Sequence, residues 1–438
     1  MSGQISLRSF EENYAKVAIC GFYGAGNTGD EAILSAIINS VRRKNPDAEF
    51  TVLSLNPAET EKLHKVKAIF MPPFGLKWIT QFKKILEVIK NSDIIVIGGG
   101  GLLQDAHNYF AIPRYVYVAI LAKSFKKPLM FYSVGVGPIK NWIEKILVRV
   151  GCNLSDLITV RDKPSKELLL SLGVRKAPII VSADPVFALQ SINSKKAEEI
   201  LRKEGVTIDR PLIGVSVRKT EWHQAEIIDD IAKLLDYAIS RYRATIVFIP
   251  FGYDGKPTDL EVSKCAMNRM KEKQKVYLIS GKYSPQEIMG IISQLDFLIG
   301  MRLHSLIMSA TQGVPALAIS YLPKVKDVLK QLGYKDSYII ESYPLFPNFD
   351  QMKKILDNVW QDKQEIKKEV NTKSKTIRTK ALESSNLMSF QRFTEEINVS
   401  PKKLFIIYWL FAIALILLGF LQLYRSRLYH VLKVFNKK

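Results

Sequence analysis

The chain has 438 residues, 47% hydrophobic and 24% charged, with a formal net charge of +21. It is long enough for two domains with substantial cores and too apolar to be disordered. The charge suits an anionic partner (nucleic acid, a membrane surface or an acidic substrate) or reflects a general basic bias, while Cys20, Cys152 and Cys265 have no spacing for a disulfide framework or a zinc site.

Taken in chain order, Glu11 and Glu12 fall where the apolar stretch of a secretory leader would lie, so no leader is expected. A strand over Val17–Cys20 runs into "GFYGAGNTGDEAIL" (Gly21–Leu34) and a helical pattern over Glu31–Arg43. Gly24, Gly26 and Gly29 have dinucleotide-loop spacing, but the second strand, Thr51–Leu55, ends in Asn56 and Pro57 without the carboxylate that would hold a ribose. Asp30 and Glu31 would also place two negative charges against a pyrophosphate. Either Asp30 caps the helix, or Asn27, Asp30 and the loop N–H groups grip the hydroxyls of a sugar-like ligand.

A helical pattern over Trp78–Asn91 precedes the strand Ile94–Ile97, which ends in Gly98–Gly101 with Gln104 and Asp105 just beyond. Strands over Leu129–Ser133, Leu157–Val160 and Ile179–Ser182 follow, the first ending in "VGVGP" and the second in Arg161 and Asp162. Strands alternating with helices predict a parallel sheet covered on both faces. The glycine turns, Gly100 among them, lie at carboxyl ends of strands, where such sheets bind ligands or merely turn tightly.

After a polar, lysine-rich stretch the pattern restarts with Leu212–Val217, Thr245–Ile249, Val276–Ile279, Phe297–Ile299 and Ala316–Ile319. In "FLIGMRLHSLIMSATQGVP" a strand ends at Gly300, and Arg302 and His304 open a helix, an arrangement suited to phosphate or carboxylate. Lys324, after the next strand, and Arg218, after "IGVSV", come to the same rim, and Arg161 is a further rim arginine or an ion pair with Asp162. Past Pro347 the chain is charged and helical until Leu404–Leu423, an uncharged run of bilayer-spanning length flanked by Lys402, Lys403, Arg425 and Arg427. The expected organisation is a first Rossmann-like domain (1–195), a second (196–345), a helical segment that packs back or links (346–400), and a membrane segment with a basic tail (401–438).

Together Gly21–Leu34, "GGGGLLQD", "VGVGP", "VRDKPS", "ADPVF", "MRLHSLIMSATQGVP" and "YLPKV" resemble the polysaccharide pyruvyl transferase family, in order across most of residues 16–330. The pattern looks most like that of the bacterial members that ketalate cell-wall polymers. The resemblance implies an α/β fold of two doubly wound domains facing a cleft, as in GT-B glycosyltransferases, to which the sequence adds a C-terminal hydrophobic helix. It also implies phosphoenolpyruvate as donor, a sugar hydroxyl pair as acceptor, and a donor site of Arg302, Leu303, His304, Lys324 and Arg161, beside which Arg218 is a further rim candidate. It says nothing of residues 331–438.

Ketal formation needs one acid, one base and an anion clamp, with no metal or redox cofactor. The expected catalytic groups are His304, as proton carrier or phosphate-binding imidazolium, and Asp30 or Asp105 at the sugar hydroxyl. Gly24, Gly26, Asn27, Gly29, Asp30, Gly100 and Gln104 form the expected acceptor side. A lipid-linked saccharide acceptor, by family analogy, would place the enzyme on the cytoplasmic face of the membrane through residues 404–423, which span the bilayer or lie in it. The alternatives are a glycosyltransferase using a nucleotide sugar and a membrane-tethered binding protein. Nucleic-acid binding is disfavoured, because the basic residues are not interleaved with aromatics on one element.

Overall fold

The computed structural model describes residues 16–390 apart from 73–76, 106–110, 220–223, 255–256, 321–322 and 342–346. The expected membrane segment, 404–423, lies outside the described residues, and among those no helix is long and apolar enough to cross a membrane.

The first half of the chain runs β1 (Lys16–Cys20), α1 (Thr28–Arg42), β2 (Glu49–Ser54), α2 (Pro57–His64), β3 (Lys67–Phe70), α3 (Lys77–Asn91), β4 (Ile94–Leu103), α4 (Ala111–Ser124), β5 (Leu129–Val136), α5 (Trp142–Leu154), β6 (Leu157–Val160), α6 (Lys163–Ser171) and β7 (Ile179–Val181), ending in a 3-10 turn, Pro185–Ala188. The strands form one parallel sheet in the order β3-β2-β1-β4-β5-β6-β7. Successive side chains of β1 point to opposite faces, as the period of a strand requires. Val17 and Ile19 join a core with Ile33 and Ile37 of α1, whereas Ala18 and Cys20 pack with Ile85 of α3, Tyr115 of α4 and Leu147 of α5. The chain reverses direction across the sheet between β1 and β4, and the helices that follow those two strands lie on opposite faces. That opens a crevice at their carboxyl ends, the usual ligand position in such sheets.

The second half repeats the design: α7 (Ser194–Lys203), β8 (Leu212–Ser216), α8 (Gln224–Tyr242), β9 (Thr245–Phe248), α9 (Asp259–Arg269), β10 (Val276–Leu278), α10 (Pro285–Ser293), β11 (Phe297–Gly300), α11 (Leu303–Thr311), β12 (Ala316–Ser320), α12 (Pro323–Gln331) and β13 (Ile339–Glu341). Its parallel sheet has the order β10-β9-β8-β11-β12-β13, so the reversal falls between β8 and β11. Strands β3 and β13 are not among the strands expected from the sequence. Each is a short edge strand, "KAIF" and "IIE", with too few apolar positions to stand out.

Helix α13 (Phe349–Gln361) packs on α8 of the second domain, and α14 (Lys363–Phe390) then returns to the first. A serine seam fastens α14 there: Ser182 Oγ donates to Lys380 O (2.8 Å), Ser384 Oγ donates to Ser182 Oγ (2.6 Å), and Ser133 Oγ lies 3.1 Å from Ser384 Oγ. One continuous apolar core therefore joins the α1 face of the first sheet to the whole second domain.

The glycine loop after β1 is held from beneath. Gly24 N–H donates to Glu31 Oε1 (2.7 Å), Glu31 Oε2 meets His64 Nε2 (2.7 Å), and His64 Nδ1 lies 3.2 Å from Ser35 Oγ, all buried. Gly24 adopts φ +73°, open to glycine at little strain. Glu31→Ala would strand both Gly24 N–H and His64. It should lower stability by about 3 kcal/mol, read as a reduced urea midpoint. An unchanged midpoint would show that the network carries no stability.

Candidate functional site

The two domains are stitched together at the glycine loop. Thr28 N–H donates to Phe251 O (2.8 Å), Tyr253 N–H donates to Gly26 O (2.8 Å), and Asn27 and Gly252 form an antiparallel bridge. The N-cap of α1 is Asn27, whose Oδ1 accepts from Gly29 N (3.2 Å). This corrects two expectations. Asp30 is not the cap, and the loop is not an open cradle, since the N–H groups of Gly24, Thr28 and Gly29 are already engaged within the protein.

Asp30 stands in the first turn of α1, at the mouth of the β1–β4 crevice. Its Oδ2 accepts from Asn27 Nδ2 (2.5 Å), and its Oδ1 lies over Gly100. Burial pushes its carboxyl up to about 6, and Glu31 adds to the rise. His304 and, less strongly, Arg302 oppose it, and so does the Asn27 hydrogen bond. The result is a carboxyl raised to about 6, near enough to His304 for the imidazole to oppose the rise.

His304, in the first turn of α11, reaches across from the second domain to Gly29. A Cβ at position 29 would fall on His304 Nδ1, so the absence of a side chain there is what lets the ring approach. The other nitrogen, Nε2, stands 3.5 Å from Asp184 Oδ2, and the same oxygen is 3.7 Å from Arg161 Nη1. Asp184 sits at the N-terminus of the turn Pro185–Ala188, where its Oδ1 accepts from Val186 N (3.1 Å). Burial opposes its charge, but His304, Arg161 and the Val186 N–H together hold its carboxyl below the usual range. A ring with a buried carboxylate oxygen 3.5 Å from one nitrogen, and a second carboxylate nearby, has the layout of an acid–base pair.

Arg302 is the N-cap residue of α11, a helix with no side-chain cap and no acidic residue in its first turn. Its guanidinium is already paired: Nε and Nη2 donate to Asp259 Oδ2 (2.7 Å) and Oδ1 (2.6 Å). Asp259 is 2% exposed, and Gly252 leaves room for the guanidinium above it. Arg161 likewise donates to Asp162 Oδ2 (3.3 Å), the ion pair that the sequence left open. The arginine-rich rim is thus not a bare cationic clamp, because each of these arginines is oriented and partly neutralised by carboxylates.

Asp105 has a different task from the one expected of it. Its Oδ2 accepts from Lys140 N (2.6 Å) and Asn141 N (2.7 Å), latching the loop between β5 and α5. Gln104 lies beside Gly101 in the same rim. Leu303 is buried in the second-domain core. Arg218 follows β8 and donates through Nε to Lys219 O (3.1 Å). Lys324 stands in the first turn of α12, after β12, which neighbours β11 in the sheet. The site residues that the sequence did not single out are Asp184, Asp259 and Gly252. "ADPVF" was visible as a motif, but nothing local ties Asp184 to a histidine 120 positions later.

Known proteins resemble this chain in sequence and in fold. The family described as polysaccharide pyruvyl transferase matches residues 27–323. The amylovoran biosynthesis protein AmsJ of Erwinia amylovora is 25% identical over 370 residues, 73% of this chain and 86% of AmsJ. Among solved structures, the UDP-GlcNAc 2-epimerase of Methanocaldococcus jannaschii superposes with TM-score 0.57 at 15% identity, covering 78% of this chain and 92% of that one. The UDP-GlcNAc 2-epimerase of Neisseria meningitidis, bound to UDP-GlcNAc, gives 0.59 at 14% identity, covering 85% and 100%. The fold is that of two GT-B-like Rossmann domains, as expected.

Two outcomes follow from the site. Asp30 titrates at about 6 in the folded chain against 3.8 ordinarily, so between those values the folded state holds the extra proton and stability falls as pH rises through the window. Asp30→Asn should therefore raise the urea midpoint above about pH 6, leave it unchanged below about pH 4, and abolish turnover; equal midpoints for both proteins at neutral pH would refute the buried charge. Gly29→Ala should displace the His304 ring and cut turnover by about 100-fold while the chain stays folded by circular dichroism; wild-type turnover would show that the contact is dispensable.

Proposed function

The chain belongs to the polysaccharide pyruvyl transferase family, and from that premise we propose that it transfers a pyruvyl group from phosphoenolpyruvate to a sugar of a cell-wall or exopolysaccharide precursor, closing a cyclic ketal and releasing phosphate. The observation that carries this reading is the juxtaposition of His304, from the second domain, with Gly29 and Asp30, from the first, with Asp184 Oδ2 3.5 Å from the ring. A carboxyl and an imidazole at one place, in a cleft with arginines already aimed, support this reading.

In this mechanism a proton adds to the methylene carbon of the donor, and C2 becomes cationic. A sugar hydroxyl attacks C2, phosphate leaves, and a second hydroxyl of the same sugar closes the ring. Of the two hydroxyl protons, one ends on the new methyl group and the other on phosphate, and nothing is oxidised or reduced. Asp30, ionised above about 6, takes a hydroxyl proton. His304, steadied by Asp184, either delivers the proton to carbon or holds the leaving phosphate. Arg302, Arg161, Lys324 and Arg218 serve the donor, the first two as oriented partners and the others as further rim cations. Asn27, Gly100 and Gln104 border the acceptor. Residues 404–423 keep the catalytic domains at the cytoplasmic face of a membrane, near a lipid-linked saccharide.

The rival reading, glycosyl transfer from a nucleotide sugar, draws on the fold of the structural neighbours. Incubation with a pool of lipid-linked saccharides separates the two: phosphate release that depends on phosphoenolpyruvate supports pyruvyl transfer, and nucleotide release from a nucleotide sugar contradicts it. Arg302→Lys, which loses the forked geometry, and His304→Ala should each abolish phosphate release. Asp184→Asn should lower kcat about 10- to 100-fold with KM little changed, as expected of a positioning group. Full activity in His304→Ala would remove the imidazole from the mechanism.

A further inference from the structure

Helix α5 has two apolar faces. One is packed: Ile143, Leu147, Val148 and Cys152 are buried in the core over the α3–α4–α5 side of the first sheet. The opposite stripe runs Trp142, Lys145, Ile146, Arg149, at the i, i+3, i+4, i+7 spacing of a single helix face, and points outward. Trp142 is 69% exposed and Ile146 50% exposed, the two highest values among the exposed large hydrophobic side chains of the described residues. Lys140, Lys145, Arg149 and Lys176 are exposed around them, and none of these four is in an ion pair among the described residues. Lys176 is brought beside the helix because its N–H donates to Asn153 Oδ1 (3.0 Å).

We infer that this stripe of α5 docks the first domain on an anionic lipid bilayer. A protein partner would want a core depleted of lysine, whereas here cations alternate with the apolar side chains. That alternation fits a helix lying in a membrane interface, with tryptophan at headgroup depth and lysine or arginine among lipid phosphates. The uncharged run 404–423, with basic residues on both flanks, points to the same surface from the other end of the chain.

The place of the stripe also matters. Helix α5 begins beside the loop that Asp105 latches through Lys140 N and Asn141 N, at the carboxyl-end rim of the first sheet. A bilayer meeting Trp142 would border the crevice where Asp30 and Gly100 lie. The link to a lipid-linked acceptor rests on the function proposed above, but the docking does not.

The test uses the full chain with vesicles of phosphatidylcholine and phosphatidylglycerol, with and without bromine on the acyl chains. Tryptophan emission of the wild type and of Trp142→Phe is compared, so that their difference reports Trp142 alone. That difference should be quenched by brominated lipid, and high salt should weaken the quenching. Ile146→Glu changes a half-exposed position, so the melting temperature should hold while the Trp142 quenching is lost. Identical quenching in wild type and Trp142→Phe, or unchanged Trp142 quenching in Ile146→Glu, would overturn the assignment. So would a Trp142 emission that ignores brominated lipid but shifts when a second copy of the chain or another protein binds. The readout involves neither phosphoenolpyruvate nor sugar, so its failure and that of the proposed reaction are separable.

Discussion

Two backbone hydrogen bonds between residues 26–28 of the first domain and 251–253 of the second set the geometry of the cleft. They bring the α11 N-terminus down onto the α1 N-terminus, and only because position 29 lacks a side chain can His304 come so close. The same bonds decide what the glycine loop is not. The N–H groups of Gly24, Thr28 and Gly29 are committed to Glu31, to Phe251 and to the Asn27 cap, so those three are not offered to a phosphate as a dinucleotide loop would offer them. The loop is a joint between domains, and its ligand-facing groups are the side chains of Asn27 and Asp30.

Much of the charge in the cleft is paired: Arg302, Arg161 and His304 each face a carboxylate. Asp259 grips Arg302 through two hydrogen bonds, Asp162 and Asp184 flank Arg161, and Asp184 faces His304. Buried carboxylates are tolerated because the cations are there, and the cations hold one geometry because the carboxylates are there. Asp30 stands apart. Burial and Glu31 raise it further than His304, Asn27 and Arg302 bring it back, which leaves it near neutrality and suited to moving a proton. A donor with close to three negative charges would enter a site whose cations are pre-aimed but partly neutralised, which favours binding that is geometric as much as electrostatic.

Much of this was legible in the sequence because it is local. Alternating apolar runs marked the central strands of both sheets, and Arg302 and His304 showed themselves by opening a helix at a strand end. The edge strands β3 and β13 escaped because, at four and three residues, they are too short to show a period. The partners escaped for a different reason. Asp259 lies 43 positions from Arg302 and Asp184 lies 120 from His304, so no spacing rule joins them. Asp105 misled because a carboxylate at the end of a glycine-rich strand looks the same in sequence whether it meets a ligand or the N–H groups of Lys140 and Asn141. The serine seam that fastens α14 to the first domain, beside buried Ala381 and Met388, joins residues far apart in the sequence and carries no recognisable pattern.

The account depends on proton delivery to the donor's methylene carbon inside the closed cleft. The most direct measurement is the reaction in deuterated water with phosphoenolpyruvate and a saccharide acceptor, followed by mass spectrometry of the modified sugar. The account predicts a pyruvyl ketal whose methyl group carries one deuterium. A product whose methyl group carries none, or a sugar that gains a glycosyl unit instead, would contradict it.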